Sequence, residues 1–67
     1  MVKFKERLKE LRLEKELSQE ELARALKINQ RSISNWETGA RQPDFETLIL
    51  IAEYFSVTTD YLLGIAD

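Results

Sequence analysis

Gln30, Arg31, Ser34 and Asn35 recur at intervals of one, three and four residues, the spacing of side chains that share one helix face. Two amides, a guanidinium and a hydroxyl offer donors and acceptors suited to planar polar edges and to phosphate oxygens. Within residues 30–38 the apolar side chains are Ile33 and Trp36, three apart, and Trp36 is the sole tryptophan of the chain. A surface loop would not favour that tryptophan, and a core helix would not favour the polar neighbours. A helix anchored by one thin apolar stripe accommodates both, which makes Trp36 a core anchor and not a stacking platform.

These side chains need elements to hold them. Phe4, Leu8 and Leu11, at i, i+4 and i+7, predict a helix over 3–16. Ser18 and Glu21 have capping-box spacing and predict a second helix over 18–26, with Leu22, Ala23, Ala25 and Leu26 on its buried stripe. Asn29 is a good N-cap for a third helix, 30–38, and Gly39 suits the left-handed position that ends it. Asp44, after Pro43, starts a helix over 44–55; Thr58 starts a short one over 58–63, stopped by Gly64. No segment alternates with period two. The expectation is one all-α domain over residues 1–67, a compact bundle of five short helices. Three residues, Lys27 to Asn29, separate the second and third helices, which must therefore cross steeply as a helix-turn-helix. Ala23 is small where the pair packs most closely, and Ile28 plugs the corner. The third helix, with its polar face outward, has the width of the B-DNA major groove, where Gln and Asn pair with adenine and Arg with guanine.

Composition removes other chemistries. The 67 residues contain no cysteine and no histidine, so disulfides and thiolate or imidazole metal sites are excluded, and no metal or cofactor is expected. There is no glycine-rich phosphate loop, and the carboxylates are spread over helix surfaces; an enzyme is not expected. The longest apolar run, 48–52, is too short to span a bilayer, and the charged N-terminal stretch lacks the apolar segment of a signal peptide. The expected location is the cytoplasm. A net charge of −2 argues against a polyanionic partner until its distribution is considered. Residues 1–26 hold seven Lys/Arg and six Asp/Glu; 27–43 hold Lys27, Arg31 and Arg41 against Glu37; 44–67 hold five acids and no base. A polyanion responds to the local field of the face it meets, so the basic middle segment matters more than the sum.

The stretch LSQEELARALKINQRSISNWETGARQPDFETLILIAEYFSVTTDYLLG resembles the Cro/CI-type (phage-repressor, or xenobiotic-response-element) helix-turn-helix family from about Phe4 to Gly64. The likeness rests on Ser18-Gln19-Glu20-Glu21-Leu22-Ala23, Ile33-Ser34, Trp36-Glu37, Gly39, Pro43, Leu48, Ala52, Val57 and Leu62-Leu63. It implies a bundle of four or five helices, a lambda-repressor-like DNA-binding domain, and sequence-specific operator binding as a dimer. Its base-reading positions fall on Gln30, Arg31, Ser34 and Asn35, and its backbone-contacting ones on Gln19, Ser32, Thr38 and Arg41. It also implies a structural pair between Arg12 and Glu37, tying the reading helix to the first helix. Two positions depart from the pattern: Lys27 and Ser56 stand where glycine is usual. A left-handed backbone at each carries a steric cost of roughly 1 kcal/mol. Lys27, at the basic end of the helix pair, is expected to gain a phosphate contact.

The fourth helix has apolar surface to spare. Leu48, Ile51, Ala52 and Phe55 form its core stripe, leaving Ile49, Leu50 and Tyr54 either as scattered surface hydrophobes or as a self-association patch. The sequence thus implies a regulator of transcription, a repressor, which binds double-stranded DNA at an inverted-repeat operator. It would be a weak or DNA-assembled homodimer, with no membrane partner. The alternative is a protein-interaction or antitoxin-like module on the same fold.

Overall fold

The computed structural model describes residues 2–66. Its elements are α1 (Phe4–Glu14), α2 (Gln19–Leu26), α3 (Gln30–Thr38), α4 (Phe45–Phe55) and α5 (Thr59–Leu63), with no strand among the described residues.

Local chemistry explains where the helices begin. Ser18, Asp44 and Thr58 have extended backbone, and each side chain accepts a backbone N–H three residues on: Glu21 at 3.0 Å, Thr47 at 2.8 Å and Tyr61 at 3.0 Å. They therefore stand just outside the helices predicted over 18–26, 44–55 and 58–63. Asn29 accepts from the Arg31 N–H at 2.7 Å at the head of α3. At α2 the capping box is complete, because the Ser18 N–H donates back to Glu21 Oε1 at 2.8 Å.

Four of the five helices end in one pattern. Glu16, Lys27, Ser56 and Gly64 have φ of 57°, 59°, 57° and 83°. In each case the next N–H reaches back five residues, from Leu17 to the Arg12 carbonyl, Ile28 to Ala23, Val57 to Ala52 and Ile65 to Asp60, at 2.9–3.1 Å. These are Schellman turns, in which an apolar residue follows the left-handed one. Leu17, Ile28 and Val57 pack against the core, which offsets the steric cost of the left-handed backbone at Glu16, Lys27 and Ser56. The turn at Glu16 corrects the helix predicted over 3–16. Lys3 is not helical, α1 stops at Glu14, and the chain reverses so that Leu17 points inward.

The core gathers Phe4, Leu8 and Leu11 of α1, Leu22, Ala23 and Leu26 of α2, Ile33 and Trp36 of α3, Ile51, Ala52 and Phe55 of α4, and Leu62 of α5. Ala25 is exposed, a second correction: the covered arc of α2 runs from Leu22 to Ala23, and Ala25 falls on the other side of Leu22. The start of α1 is fastened to α5 and the residues that follow it. The Lys3 N–H donates to the Leu63 carbonyl at 3.2 Å, and Arg7 Nη1 donates to the carbonyls of Tyr61 and Ala66 at 2.8 and 3.0 Å. The Arg7 guanidinium also lies 4.2 Å from the centre of the Tyr61 ring. Among the described residues no helix is long and apolar enough to cross a membrane.

Candidate nucleic-acid interface

A helix that buries only Ile33 and Trp36 has little apolar area to fix its orientation, so a polar tie carries part of the task. Arg12 Nε donates to Glu37 Oε2 at 2.6 Å and Nη2 donates to Oε1 at 3.0 Å, a two-pronged contact between α1 and the end of α3. The third guanidinium nitrogen, Nη1, donates to the Leu17 carbonyl at 2.7 Å. The two side chains are only 9% and 4% exposed, so the pair is sheltered from solvent screening. Donating to the Glu37 carboxylate raises the Arg12 pKa above its ordinary value, against the opposing effect of burial. No buried polar side-chain atom among the described residues lacks a partner.

With α3 fixed, its outward face and the start of α2 form one open groove of about 650 Å³. Gln19, Gln30, Arg31, Ser34, Asn35 and Arg41 line it. Two guanidiniums face this space and no carboxylate does. Arg41 is kept near α3 by its backbone N–H, which donates to the Asn35 carbonyl at 3.3 Å. All four candidate base readers are thus in one place, with two of the candidate backbone contacts, Gln19 and Arg41. The other three lie off the lining. Lys27 is exposed at the end of α2, and Ser32 is half-buried. The Thr38 hydroxyl donates to the Asn35 carbonyl at 3.1 Å and accepts from the Ala40 N–H at 3.4 Å, closing the turn after α3.

A helix-turn-helix family model matches residues 8–62. The chain belongs to the helix-turn-helix family. It is 45% identical over 63 residues to the HTH-type transcriptional activator BcrR of Enterococcus faecalis, covering 94% of this chain and 31% of that protein. It is 43% identical over 58 residues to the HTH-type transcriptional regulator ImmR of Bacillus subtilis (strain 168), covering 87% and 46%. The crystal structure of a transcriptional regulator from Listeria innocua superposes with a TM-score of 0.90 at 31% identity, covering all of this chain and 63% of that one. The chain therefore spans less than half of the length of each of these two curated relatives.

Three features of this helix-turn-helix were not read from the sequence. Gln19 Nε2 donates to Glu37 Oε1 at 3.1 Å, joining a groove residue to the buried pair; no local periodicity links positions 18 residues apart. The φ of 84° at Gly39 favours glycine there, and the stem of Lys5 lies alongside, where an added Cβ would meet Lys5 Cδ at 3.1 Å. Phe45 is 84% exposed at the start of α4, beside Ile49 at 50% and Leu50 at 41%. Its i, i+4 spacing to Ile49 was the available signal. Tyr54, by contrast, is not spare surface. It is half-buried against the core, its ring edge-on to Phe55 with centroids 5.0 Å apart and the Lys15 ammonium 5.9 Å away.

Proposed function

We propose that this chain is the DNA-reading head of a transcriptional regulator. On this reading α3 lies in the major groove, with Gln30, Arg31, Ser34 and Asn35 against base edges. Gln19 and Arg41 contact the backbone on either side, with Lys27, Ser32 and Thr38 as outlying backbone contacts. The observation that carries it is the groove lining: six polar side chains, two of them arginines, converge with no carboxylate among them, in a chain whose net charge is −2. Guanidiniums and amides match the acceptors and donors of base edges and phosphates. The names of BcrR and ImmR, a transcriptional activator and a transcriptional regulator, support the same role.

The operator is an inverted repeat, with two copies reading half-sites about 34 Å apart, one turn of the duplex. Ile49 and Leu50, joined by Phe45 and flanked by the half-buried Tyr54, supply a small apolar contact for a second copy. So small a surface gives a weak dimer that assembles on DNA. Regulation is by occupancy, which makes the chain a repressor where its operator overlaps a promoter, and the compartment is the cytoplasm.

Selection of bound sequences from a random duplex pool, followed by titration at two salt concentrations, tests the reading. It expects a palindromic consensus and an affinity that falls steeply with salt, as counterions are released from contacted phosphates. An unenriched pool and a flat salt response would overturn it in favour of a protein-interaction or antitoxin-like module.

A further inference from the structure

The Glu37 carboxylate does more than hold Arg12. Its two oxygens provide about four acceptor sites. Arg12 uses one on each oxygen, and Oε1 also accepts from Gln19 Nε2 at 3.1 Å. A glutamine amide can approach a carboxylate in only one sense, because its own oxygen would meet a second acceptor there. The amide nitrogen of Gln19 therefore faces Glu37, and its carbonyl oxygen and second N–H are left for other partners. Gln19 is half-buried, opens α2 and lines the groove with the α3 readers. Glu37 is 4% exposed and cannot itself reach DNA.

We infer that Glu37 is a positioning residue for DNA recognition: held by Arg12, it imposes the orientation in which Gln19 presents its amide to DNA. The inference rests on the DNA-reading role of the groove. It extends the pair beyond a tie between α1 and α3, because a contact at the start of α2 now depends on a carboxylate at the end of α3. Without that carboxylate the amide can turn over, and only a fraction of the free protein holds the binding-competent orientation.

A double-mutant cycle isolates this role. Glu37→Gln keeps the shape of the side chain but offers both a donor and an acceptor, so either orientation of Gln19 is accepted. Gln19→Met removes the amide and leaves Arg12 and Glu37 in place. Affinity for the selected duplex is measured well below each variant's melting temperature, so that all species are folded. Glu37→Gln should weaken binding roughly fivefold when Gln19 is present, about one net hydrogen bond, and less than twofold in the Gln19→Met background. Equal losses in both backgrounds would overturn the inference, since a purely structural tie does not depend on the residue at position 19. If Glu37→Gln does not fold, Arg12→Lys replaces it in the cycle. A lysine holds the carboxylate at one point only and should give a smaller loss that also disappears without the amide. Failure of the unaltered chain to bind any duplex at low salt would overturn the DNA reading itself, and is distinguishable from an additive cycle.

Discussion

Helices α3 and α4 are similar in length, at 9 and 11 residues, and each buries a narrow stripe, yet their outer faces are opposites. The outer face of α3 has amides, hydroxyls and Arg31, with no exposed large hydrophobic side chain. That of α4 exposes Phe45, Ile49 and Leu50 among Glu46 and Glu53. The polar helix is the one with the smaller apolar anchor, and it is also the one fastened by the buried Arg12–Glu37 pair. The comparison teaches that a face reserved for polar recognition removes hydrophobic area from a helix, and that a buried charge contact can restore its fixed orientation. The apolar face of α4 has no such constraint, because Ile51, Ala52 and Phe55 already hold that helix.

The largest effect should come from removing the tie. Glu37→Ala leaves Arg12 buried without its partner and should lower stability by about 3 kcal/mol or more. Glu53→Ala, on the exposed face of α4, should stay within about 0.5 kcal/mol. Thermal unfolding of the two variants side by side measures the contrast; equal melting temperatures would mean α3 does not depend on the pair.

Next come the faces themselves. Gln30→Ala and Asn35→Ala should each cost about 1–3 kcal/mol on the preferred duplex and little on random DNA. Phe45→Ser should leave the affinity of one copy for a single half-site unchanged and weaken the assembly of two. Arg41→Ala should reduce specific and nonspecific binding alike and shallow the salt slope by about one unit per half-site. Similar losses from the α3 and α4 variants on a half-site would erase the distinction between the faces.

The two unusual turns sharpen the comparison further. Lys27→Gly and Ser56→Gly both relieve a left-handed side chain and should each stabilise by up to about 1 kcal/mol. Only Lys27→Gly should also weaken DNA binding, by the loss of a phosphate contact. The smallest effect is that of acid. Hydrogen bonds from Ser18, its backbone N–H first, hold the Glu21 pKa below the usual carboxylate value, and hydrogen bonding by Thr47 does the same for Asp44. Both groups bind fewer protons when folded than unfolded in that range. Their contribution is therefore complete above the ordinary carboxylate pKa and is lost as pH falls through the lowered folded values. Ser18→Ala and Thr47→Ala should flatten the acid limb of the stability profile, read by thermal unfolding across that range.

Much of the fold could be read from local sequence, because its starts and stops are local. Ser18 with Glu21, Asn29, Asp44, Thr58, Gly39 and Gly64 each act within a few residues, and all occupy cap positions. Glu16 was not legible: glutamate favours helix, and its left-handed turn is set by the packing of Leu17 against a core assembled from distant residues. Ala25 misled for a related reason, since periodicity shows which residues share a face and not which arc a neighbour will cover. The α3 face was legible because its four side chains lie on one helix. The Gln19–Glu37 bond was not, because it joins two helices.

On the proposed reading α3 presents its polar face to bases while the outer face of α4 stays clear of DNA. Amide chemical-shift mapping of the isotope-labelled chain tests it most directly, with titration first by the selected half-site duplex and then by a random one. Perturbations should concentrate on Gln19, Lys27 and residues 30–41 with both duplexes, with those at Gln30, Arg31, Ser34 and Asn35 distinct for the selected one. Perturbations centred on Phe45, Ile49 and Leu50, or identical patterns with the two duplexes, would contradict it.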